Sequence, residues 1–217
     1  MKKYLVIGNP IEHSLSPRLH NYWIKKNNIN AIYEKRKLDE DEIKSLVSEV
    51  KKKKLNGINV TVPFKKAVIS YLDQLSLEAE STQSVNTIYL DKEKVVGHNT
   101  DISGFELGVK NLKFEATGKK ILILGAGGVV PSIIFALNKM KVSEITISNR
   151  TKDRAERLKN LFKNIKTVNW GDIPEFDMII NATSVGLNKN DQINLDFSKI
   201  GKNKFFYDVI YNPKETN

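Results

Sequence analysis

Short strand-like segments alternate with longer helix-like segments along the second half of the chain. The short segments predict strands at 121–124, 144–148, 165–169, 177–181 and 204–208. The longer segments predict helices at about 129–140 and 152–163. The run at 121–124 is continuously aliphatic, which is typical of a strand buried on both faces, and the alternation of strands with helices predicts a parallel α/β sheet.

The first half of the chain mixes strand and helix patterns less regularly. Strands are predicted at 3–8, 31–36 and 57–65, and a hairpin at 85–98. Helices are predicted at 39–53, 66–72, 75–82 and 99–112. Ser16 followed by Pro17 predicts a helix N-cap with proline at the first helical position. We therefore expect a mixed sheet in this half.

Three segments of the first half predict which side chains face a core. Within 57–65 apolar and polar residues alternate with the strand period. Ile58, Val60 and Val62 are predicted to face the core, whereas Asn59 and Thr61 point the other way. The apolar side of the helix at 39–53 carries Ile43, Leu46, Val47 and Val50. Leu19, Tyr22 and Trp23 fall on one face of the helix that follows Pro17.

Glycines directly follow the predicted strand at 121–124, as Gly125-Ala126-Gly127-Gly128. Glycine lets the backbone turn tightly and approach a ligand, and the N-terminus of the next helix favours an anion. Strand, glycine turn and helix together predict a dinucleotide pyrophosphate site. The third glycine of the usual fingerprint is replaced by Val130, so an ordinary strand–turn–helix is the alternative.

The segment after the next strand bears on the choice of cofactor. It reads Asn149-Arg150-Thr151, with Arg154 three residues beyond Thr151, and it contains no carboxylate at the strand end. An acidic residue at that point binds the ribose 2′-hydroxyl of NAD, whereas arginine accommodates the 2′-phosphate of NADP. The sequence therefore predicts NADP. Arginines that are merely solvated at a helix start are the alternative. Thr183 belongs to a third polar strand end, at 181–186.

Composition excludes several classes of protein. The chain has no Cys, and its three His residues lack a metal-ligand spacing, so neither a disulfide framework nor a metal site is expected. No stretch approaches the length of a membrane span, and the N-terminal apolar run is too short for a signal peptide, which predicts a cytoplasmic protein. The net charge of +10 comes mostly from scattered Lys residues and favours anionic small molecules over nucleic acid.

Taken together, the motifs resemble those of the shikimate dehydrogenases from end to end of the chain. The matching segments are Ser14-Leu15-Ser16-Pro17 with His20-Asn21, Asn59-Val60-Thr61-Val62-Pro63-Phe64-Lys65, Val85-Asn86-Thr87, Asn99-Thr100-Asp101-Ile102-Ser103-Gly104, the glycine turn, Asn149-Arg150-Thr151, Asn181-Ala182-Thr183-Ser184 and Asp208-Val209-Ile210-Tyr211-Asn212-Pro213. The resemblance implies a substrate-binding, catalytic domain at 1–101 and a Rossmann-like NADP-binding domain at 102–217. It also implies a monomer or homodimer that reversibly reduces 3-dehydroshikimate to shikimate.

The resemblance also implies roles for individual residues. The catalytic lysine is Lys65, paired with Asp101. The substrate contacts are Ser14, Ser16 and Tyr211 for the carboxylate and Asn59, Thr61 and Asn86 for the ring hydroxyls. The cofactor contacts are Gly125, Ala126, Gly127, Gly128, Asn149, Arg150, Thr151, Arg154 and Thr183.

These residue types suit carbonyl reduction on a polyhydroxylated ring acid. Asn, Thr and Ser supply neutral hydrogen-bonding groups for the hydroxyls. Lys65 can give a proton to the developing alkoxide or stabilise it as a cation, while a carboxylate at Asp101 holds the lysine. From position alone, a surface lysine and a helix-start aspartate remain the alternatives.

The chain departs from the family pattern in two places. Val129 and Val130 replace small residues after the glycine turn, which brings pyrophosphate approach and cofactor affinity into question. The chain also stops soon after Asp208, where family members continue with a last strand, further helices and a substrate-contacting glutamine. From this we expect weaker substrate binding and a partly exposed sheet edge. The alternative functions are a quinate/shikimate dehydrogenase and a non-catalytic NADP-binding protein.

Overall fold

The structure, a computed structural model, describes residues 1–188, 190–198, 200–211, 213 and 216. The chain divides into two compact units, Met1–Asp101 and Ile102–Asn217. We call them the N-terminal unit and the C-terminal unit. No helix within the described ranges combines the length and the apolar composition needed to cross a membrane.

The N-terminal unit is built on a mixed six-stranded sheet with the order β2-β1-β3-β5-β6-β4. Its strands are β1 Lys2–Gly8, β2 Ala31–Lys37, β3 Gly57–Val60, β4 Gln74–Leu75, β5 Thr87–Asp91 and β6 Lys94–His98. Its α-helices are α1 Ser16–Lys26, α2 Ile43–Lys51 and α3 Leu77–Thr82, and 3₁₀ helices span Glu40–Glu42 and Ala67–Tyr71. β1 pairs parallel with β2 and β3, whereas β5 pairs antiparallel with β3 and β6. The mixed sheet and the hairpin are as predicted.

The core of this unit lies between α2 and the sheet. The four apolar residues predicted for α2 are all buried there, together with Ile58 and Val60 of β3. Val62 was predicted to join them, and that prediction is wrong because its side chain is 56% exposed. β3 ends at Val60, and the Phe64 N–H closes a turn onto the Thr61 carbonyl, so the alternation stops before Val62.

Helix α1 differs from its sequence prediction at its start. The N-cap position is Leu15, and Ser16 is already the first helical residue. The Ser14 hydroxyl accepts the Ser16 N–H at 3.3 Å, so the motif still satisfies an amide at the helix start. Leu19, Tyr22 and Trp23 do share a helix, but each is exposed. The helix predicted at 39–53 is a 3₁₀ turn followed by α2, the segment predicted at 66–72 is a 3₁₀ helix, and β4 was not predicted.

The C-terminal unit contains a five-stranded sheet with the order β11-β10-β7-β8-β9, in which all pairings are parallel. Its strands are β7 Lys120–Leu124, β8 Glu144–Ser148, β9 Ile165–Val168, β10 Met178–Asn181 and β11 Phe205–Asp208. Its helices are α5 Val130–Lys139 and α6 Lys152–Leu161, and α4 Asp101–Asn111 begins at the last residue of the N-terminal unit. The predicted parallel α/β sheet is confirmed.

Strand β7 is buried on both faces, as its aliphatic run predicted. Ile121 and Ile123 pack into one cluster with α5, whereas Leu122 and Leu124 pack into another with Phe176. All four of these side chains are at most 2% exposed. The strand thus places the glycine turn at the carboxyl edge of the sheet, which is where ligands bind in such folds.

Candidate functional site

Lys65 and Asp101 form an ion pair in the N-terminal unit. The Lys65 Nζ lies 2.6 Å from the Asp101 Oδ2, and the two side chains are 13% and 24% exposed. Lys65 follows the turn at 61–64, and its carbonyl accepts the Val85 N–H at 2.8 Å. The Asp101 N–H donates to the Asn99 Oδ1 at 3.0 Å. Partial burial and the backbone hydrogen bonds of both residues hold this charge-assisted hydrogen bond in place. The Lys65 ammonium group keeps further N–H groups that can donate to a ligand.

The pair belongs to a longer chain of side-chain hydrogen bonds. The Asn86 Nδ2 donates to the Asp101 Oδ1 at 2.8 Å and to the Thr100 Oγ1 at 2.9 Å. The Thr87 hydroxyl donates to the Asn86 Oδ1 at 3.0 Å. The Asn59 Nδ2 donates in turn to the Thr87 Oγ1 at 3.1 Å and to the Asn86 carbonyl at 3.2 Å. Polar groups are therefore linked continuously from Asn59 to the lysine.

Strand pairing explains why these residues meet. Asn59 on β3 lies opposite Thr87 on β5 in the antiparallel register. The Val60 N–H donates to the Asn86 carbonyl, which holds the residue just before β5 against β3. The sequence alternation predicted that Asn59 lies on the polar side of its strand. The sheet order places that side next to Asn86 and Thr87, which are distant in sequence.

Tyr33 also joins this chain, although no sequence motif pointed to it. Its hydroxyl donates to the Asn59 Oδ1 at 2.6 Å, and its side chain is 4% exposed. Burial raises the pKa of the Tyr33 hydroxyl. Tyr33 is the only buried residue of β2, a property that the structure shows and that the strand prediction at 31–36 did not contain.

The remaining predicted substrate residues are placed differently. Ser14 and Ser16 lie at the start of α1, where the Ser14 hydroxyl accepts the Ser16 N–H. Thr61 is partly buried at the turn, and its N–H donates to the Ile7 carbonyl. Tyr211 belongs to the C-terminal unit, and its side chain is exposed. Asn212 of the same sequence motif lies outside the described residues.

The glycine turn of the C-terminal unit depends on two different properties of glycine. Gly125 has a φ of +103°, and a Cβ there would lie 2.8 Å from the Ala182 carbonyl oxygen. A Cβ at Gly128 would meet nothing within 4 Å, and one at Gly127 would have only that oxygen, at 3.7 Å. The turn is therefore closed behind Gly125 and open beside Gly127 and Gly128, which fits the close approach of a pyrophosphate to the helix N-terminus.

The valines after the turn are core residues. Val130 is completely buried, and the partly buried Val129 packs against the same cluster. Pro131 lies in the first turn of α5, where a missing N–H breaks no intrahelical hydrogen bond. Their bulk is therefore used for helix–sheet packing in this unit.

Replacing Gly125 by alanine is expected to destabilise the C-terminal unit. A positive φ costs a side chain about 1–3 kcal/mol, and the added Cβ would also clash with the Ala182 carbonyl. We expect the free energy of unfolding to fall by at least about 2 kcal/mol in urea titrations. Gly128→Ala is the matched control, because its Cβ has open space. Equal losses for the two variants would contradict the steric explanation.

The residues predicted for the 2′-phosphate lie beside the glycine turn. Leu124 and Ser148 are register partners at the ends of β7 and β8, and the Gly125 N–H donates to the Ser148 carbonyl at 2.8 Å. Thr151 is the N-cap of α6 and accepts the Asn149 Nδ2 through its carbonyl at 2.7 Å. The whole segment therefore follows directly from the end of β8.

The two guanidinium groups of this segment are available to an anion. Arg150 and Arg154 are exposed, and neither forms an ion pair with another described residue. The Arg154 N–H donates to the Thr151 carbonyl at 3.1 Å, which places Arg154 in the first turn of α6. A helix N-terminus flanked by two such guanidinium groups suits a phosphate.

Thr183 lies on the loop that follows β10. Its hydroxyl and its N–H both donate to the Asn181 Oδ1, at 2.7 and 3.1 Å. The Asn181 Nδ2 donates to the Asp208 Oδ2 at 3.0 Å. Asp208 therefore helps to hold this loop against the glycine turn, a supporting role that its sequence motif alone did not suggest.

Comparison with known proteins agrees with this arrangement. The family described as "Shikimate dehydrogenase substrate binding domain" matches residues 6–88, and "Shikimate / quinate 5-dehydrogenase" matches residues 106–213. A protein of Pelagibacter ubique (strain HTCC1062) named shikimate dehydrogenase (NADP(+)) is 58% identical over 216 residues, which are 100% of this chain and 82% of that protein.

Solved structures agree with the sequence comparison. The shikimate dehydrogenase of Aquifex aeolicus is 37% identical with a TM-score of 0.89, covering 97% of this chain and 79% of its own. The shikimate 5-dehydrogenase of Thermus thermophilus, solved with NADP(H) and shikimate, is 30% identical with a TM-score of 0.88. That match covers 98% of this chain and 80% of the other.

Proposed function

Since the chain belongs to the shikimate dehydrogenase family, we propose that it reversibly reduces 3-dehydroshikimate to shikimate with NADP as its cofactor. This is the shikimate-pathway reaction that leads towards chorismate and the aromatic amino acids. The single structural observation that best supports it is the partly buried Lys65–Asp101 pair at the end of a chain of amide and hydroxyl groups. That arrangement provides a proton donor next to groups that bind hydroxyls.

The proposed mechanism assigns proton transfer to Lys65. Bound NADPH supplies the hydride that reduces the carbonyl carbon. The Lys65 ammonium group donates to the carbonyl oxygen, so that the developing alkoxide is either protonated or stabilised by the positive charge. The Asp101 carboxylate accepts a hydrogen bond from the Lys65 ammonium group and thereby orients the lysine. In the oxidative direction the same groups receive the proton from the shikimate hydroxyl.

Substrate recognition is assigned to the polar residues of the predicted substrate motifs. We propose that Asn59, Thr61 and Asn86 bind the ring hydroxyls. Ser14, Ser16 and Tyr211 are assigned to the carboxylate. The hydrogen bonds that link Asn59 and Asn86 to their neighbours support this assignment, because they hold both amides in one orientation. The unit at 1–101 is thus proposed as the substrate-binding, catalytic domain.

The cofactor is assigned to the unit at 102–217. We propose that Gly125, Ala126, Gly127 and Gly128 bind the pyrophosphate beside the N-terminus of α5. The 2′-phosphate is assigned to Asn149, Arg150, Thr151 and Arg154, and Thr183 is assigned to the same cofactor. The open space beside Gly127 and Gly128 and the exposed arginines support these assignments.

A steady-state assay tests the function and its nearest alternative. Quinate carries an additional hydroxyl group on the carbon that bears the carboxylate, and the description matched by residues 106–213 includes quinate. Rates with shikimate and quinate, each with NADP and NAD, separate the possibilities. We expect the highest kcat/KM with shikimate and NADP. Comparable values with quinate would favour the broader enzyme, and no turnover together with NADP binding would favour a cofactor-binding protein.

The proposal also covers partners and location. We propose a cytoplasmic enzyme that binds small molecules rather than nucleic acid and that is a monomer or a homodimer. Sedimentation at several concentrations would give the oligomeric state. The net charge of +10 permits electrostatic binding to nucleic acid, so this point needs a test. Salt-dependent binding in a DNA mobility-shift assay would contradict the proposal that the protein has no nucleic-acid partner.

A further inference from the structure

The hydroxyl of Tyr33 contacts one residue of the proposed substrate site. It donates to the Asn59 Oδ1 at 2.6 Å. Asn59 is assigned to a ring hydroxyl of the substrate. The phenol is therefore a direct hydrogen-bonded link between β2 and β3.

The Tyr33 ring is held in place from α1. The His20 ring stacks on it with centroids 4.2 Å apart and planes within 8°. The Asn21 Nδ2 donates to the Tyr33 carbonyl at 2.7 Å, and the Tyr33 N–H donates to the Asn21 Oδ1 at 3.0 Å. The His20-Asn21 part of the sequence motif thus clamps both the ring and the backbone of one tyrosine.

The environment keeps both rings of this clamp neutral at ordinary pH. Burial raises the pKa of the Tyr33 hydroxyl and lowers the pKa of the His20 imidazole. The Tyr33 hydroxyl therefore keeps its proton and can act as a donor. The Asn59 amide cannot rotate freely to adapt, because its Nδ2 is already directed at the Asn86 carbonyl, which is only an acceptor.

We propose that Tyr33 is a positioning residue for substrate binding, and that its hydroxyl fixes Asn59 while His20 and Asn21 hold the tyrosine in place. This role rests on the proposed function, since Asn59 is assigned to a ring hydroxyl of shikimate there. Tyr33 itself acts through Asn59 and takes no part in proton or hydride transfer. Its loss should consequently weaken substrate binding more than turnover.

Tyr33→Phe tests this role. Phenylalanine keeps the ring for His20 and the backbone for Asn21, and removes only the hydroxyl. We expect the KM for shikimate to rise about tenfold, as for the loss of one hydrogen bond to a partly buried acceptor. The kcat and the KM for NADP should each change by less than about threefold, because the removed group acts on substrate binding alone.

Tyr4→Phe is the matched control. Tyr4 on β1 is the register partner of Tyr33 and packs in the same small cluster. We expect this variant to keep all three kinetic constants. Melting temperatures of both variants would identify any general loss of stability. Equal effects of the two substitutions, or a KM for shikimate unchanged by Tyr33→Phe, would overturn the role.

A double-mutant cycle supplies a second measurement. If Tyr33 acts through Asn59, Tyr33→Phe should have less effect on shikimate affinity in an Asn59→Ala background than in the wild type. Full additivity would overturn the coupling. Isothermal titration with shikimate gives the affinities directly. A wild type that neither binds nor oxidises shikimate would instead overturn the proposed function, and this role of Tyr33 with it.

Discussion

Replacing Lys65 by alanine is expected to lower kcat for shikimate oxidation by about 1,000-fold, within the range usual for loss of a general acid or base. In the proposed mechanism the lysine stabilises charge that exists only as the carbonyl oxygen becomes an alkoxide, so its loss should appear in kcat rather than in KM. We expect the KM values for shikimate and NADP to change only a few fold. Steady-state kinetics of the purified variant measures all three.

Lys66→Ala is a suitable control for this substitution. Lys66 is the next residue along the chain, it is exposed, and it makes no side-chain capping bond to the 3₁₀ helix that it precedes. This variant should keep the wild-type kcat. An unchanged kcat in Lys65→Ala would remove the lysine from the mechanism. Because Lys65→Ala leaves the partly buried Asp101 without its cation, its melting temperature should be compared with that of the wild type.

Replacing both Arg150 and Arg154 by alanine is expected to raise the KM for NADP by about 100-fold. Hydrogen bonds to a charged group contribute about 1.5–3 kcal/mol each, and the two guanidinium groups lie at the proposed 2′-phosphate site. NAD has a hydroxyl in place of that phosphate, so its KM should change by less than about threefold. The preference for NADP over NAD should therefore decrease, whereas kcat should be retained.

Arg157→Ala provides the comparison for this pair. Arg157 is an exposed residue of α6 beyond its first turn, where the helix dipole and the backbone amides contribute little to an anion site. It should leave both KM values near those of the wild type. If the double variant raised the KM values for NADP and NAD equally, the arginines would be acting on the whole cofactor and their assignment to the 2′-phosphate would be wrong.

Much of the C-terminal unit could be predicted from local sequence alone. In a parallel sheet covered on both faces, strands read as near-continuous apolar runs, and the runs at 121–124 and 178–180 follow that pattern. The glycine turn follows from the same logic, because only glycine tolerates the conformation and contact at Gly125. In this unit the local sequence pattern and the observed tertiary structure therefore agree.

The N-terminal unit could be predicted less fully because its site depends on pairings between distant segments. Tyr33 on β2 reaches Asn59 on β3, although β1 lies between these strands in the sheet. No periodicity within either strand contains that information. Val62 shows the converse limitation, since the strand alternation continues in the sequence beyond the point where Thr61 begins a turn. The resemblance to the family identified Asn59 as a candidate substrate contact, but it did not identify Tyr33, which donates a hydrogen bond to it.

The hydrogen bonds of Asn59 have a consequence for which chemical groups the site accepts. Both amide hydrogens are used, by the Asn86 carbonyl and the Thr87 hydroxyl, and Tyr33 uses one lone pair of the Oδ1. The remaining capacity is a single acceptor position. Towards a ligand, Asn59 can therefore accept a hydrogen bond but cannot donate one. It favours a hydroxyl group and disfavours a ketone or ether oxygen of the same size.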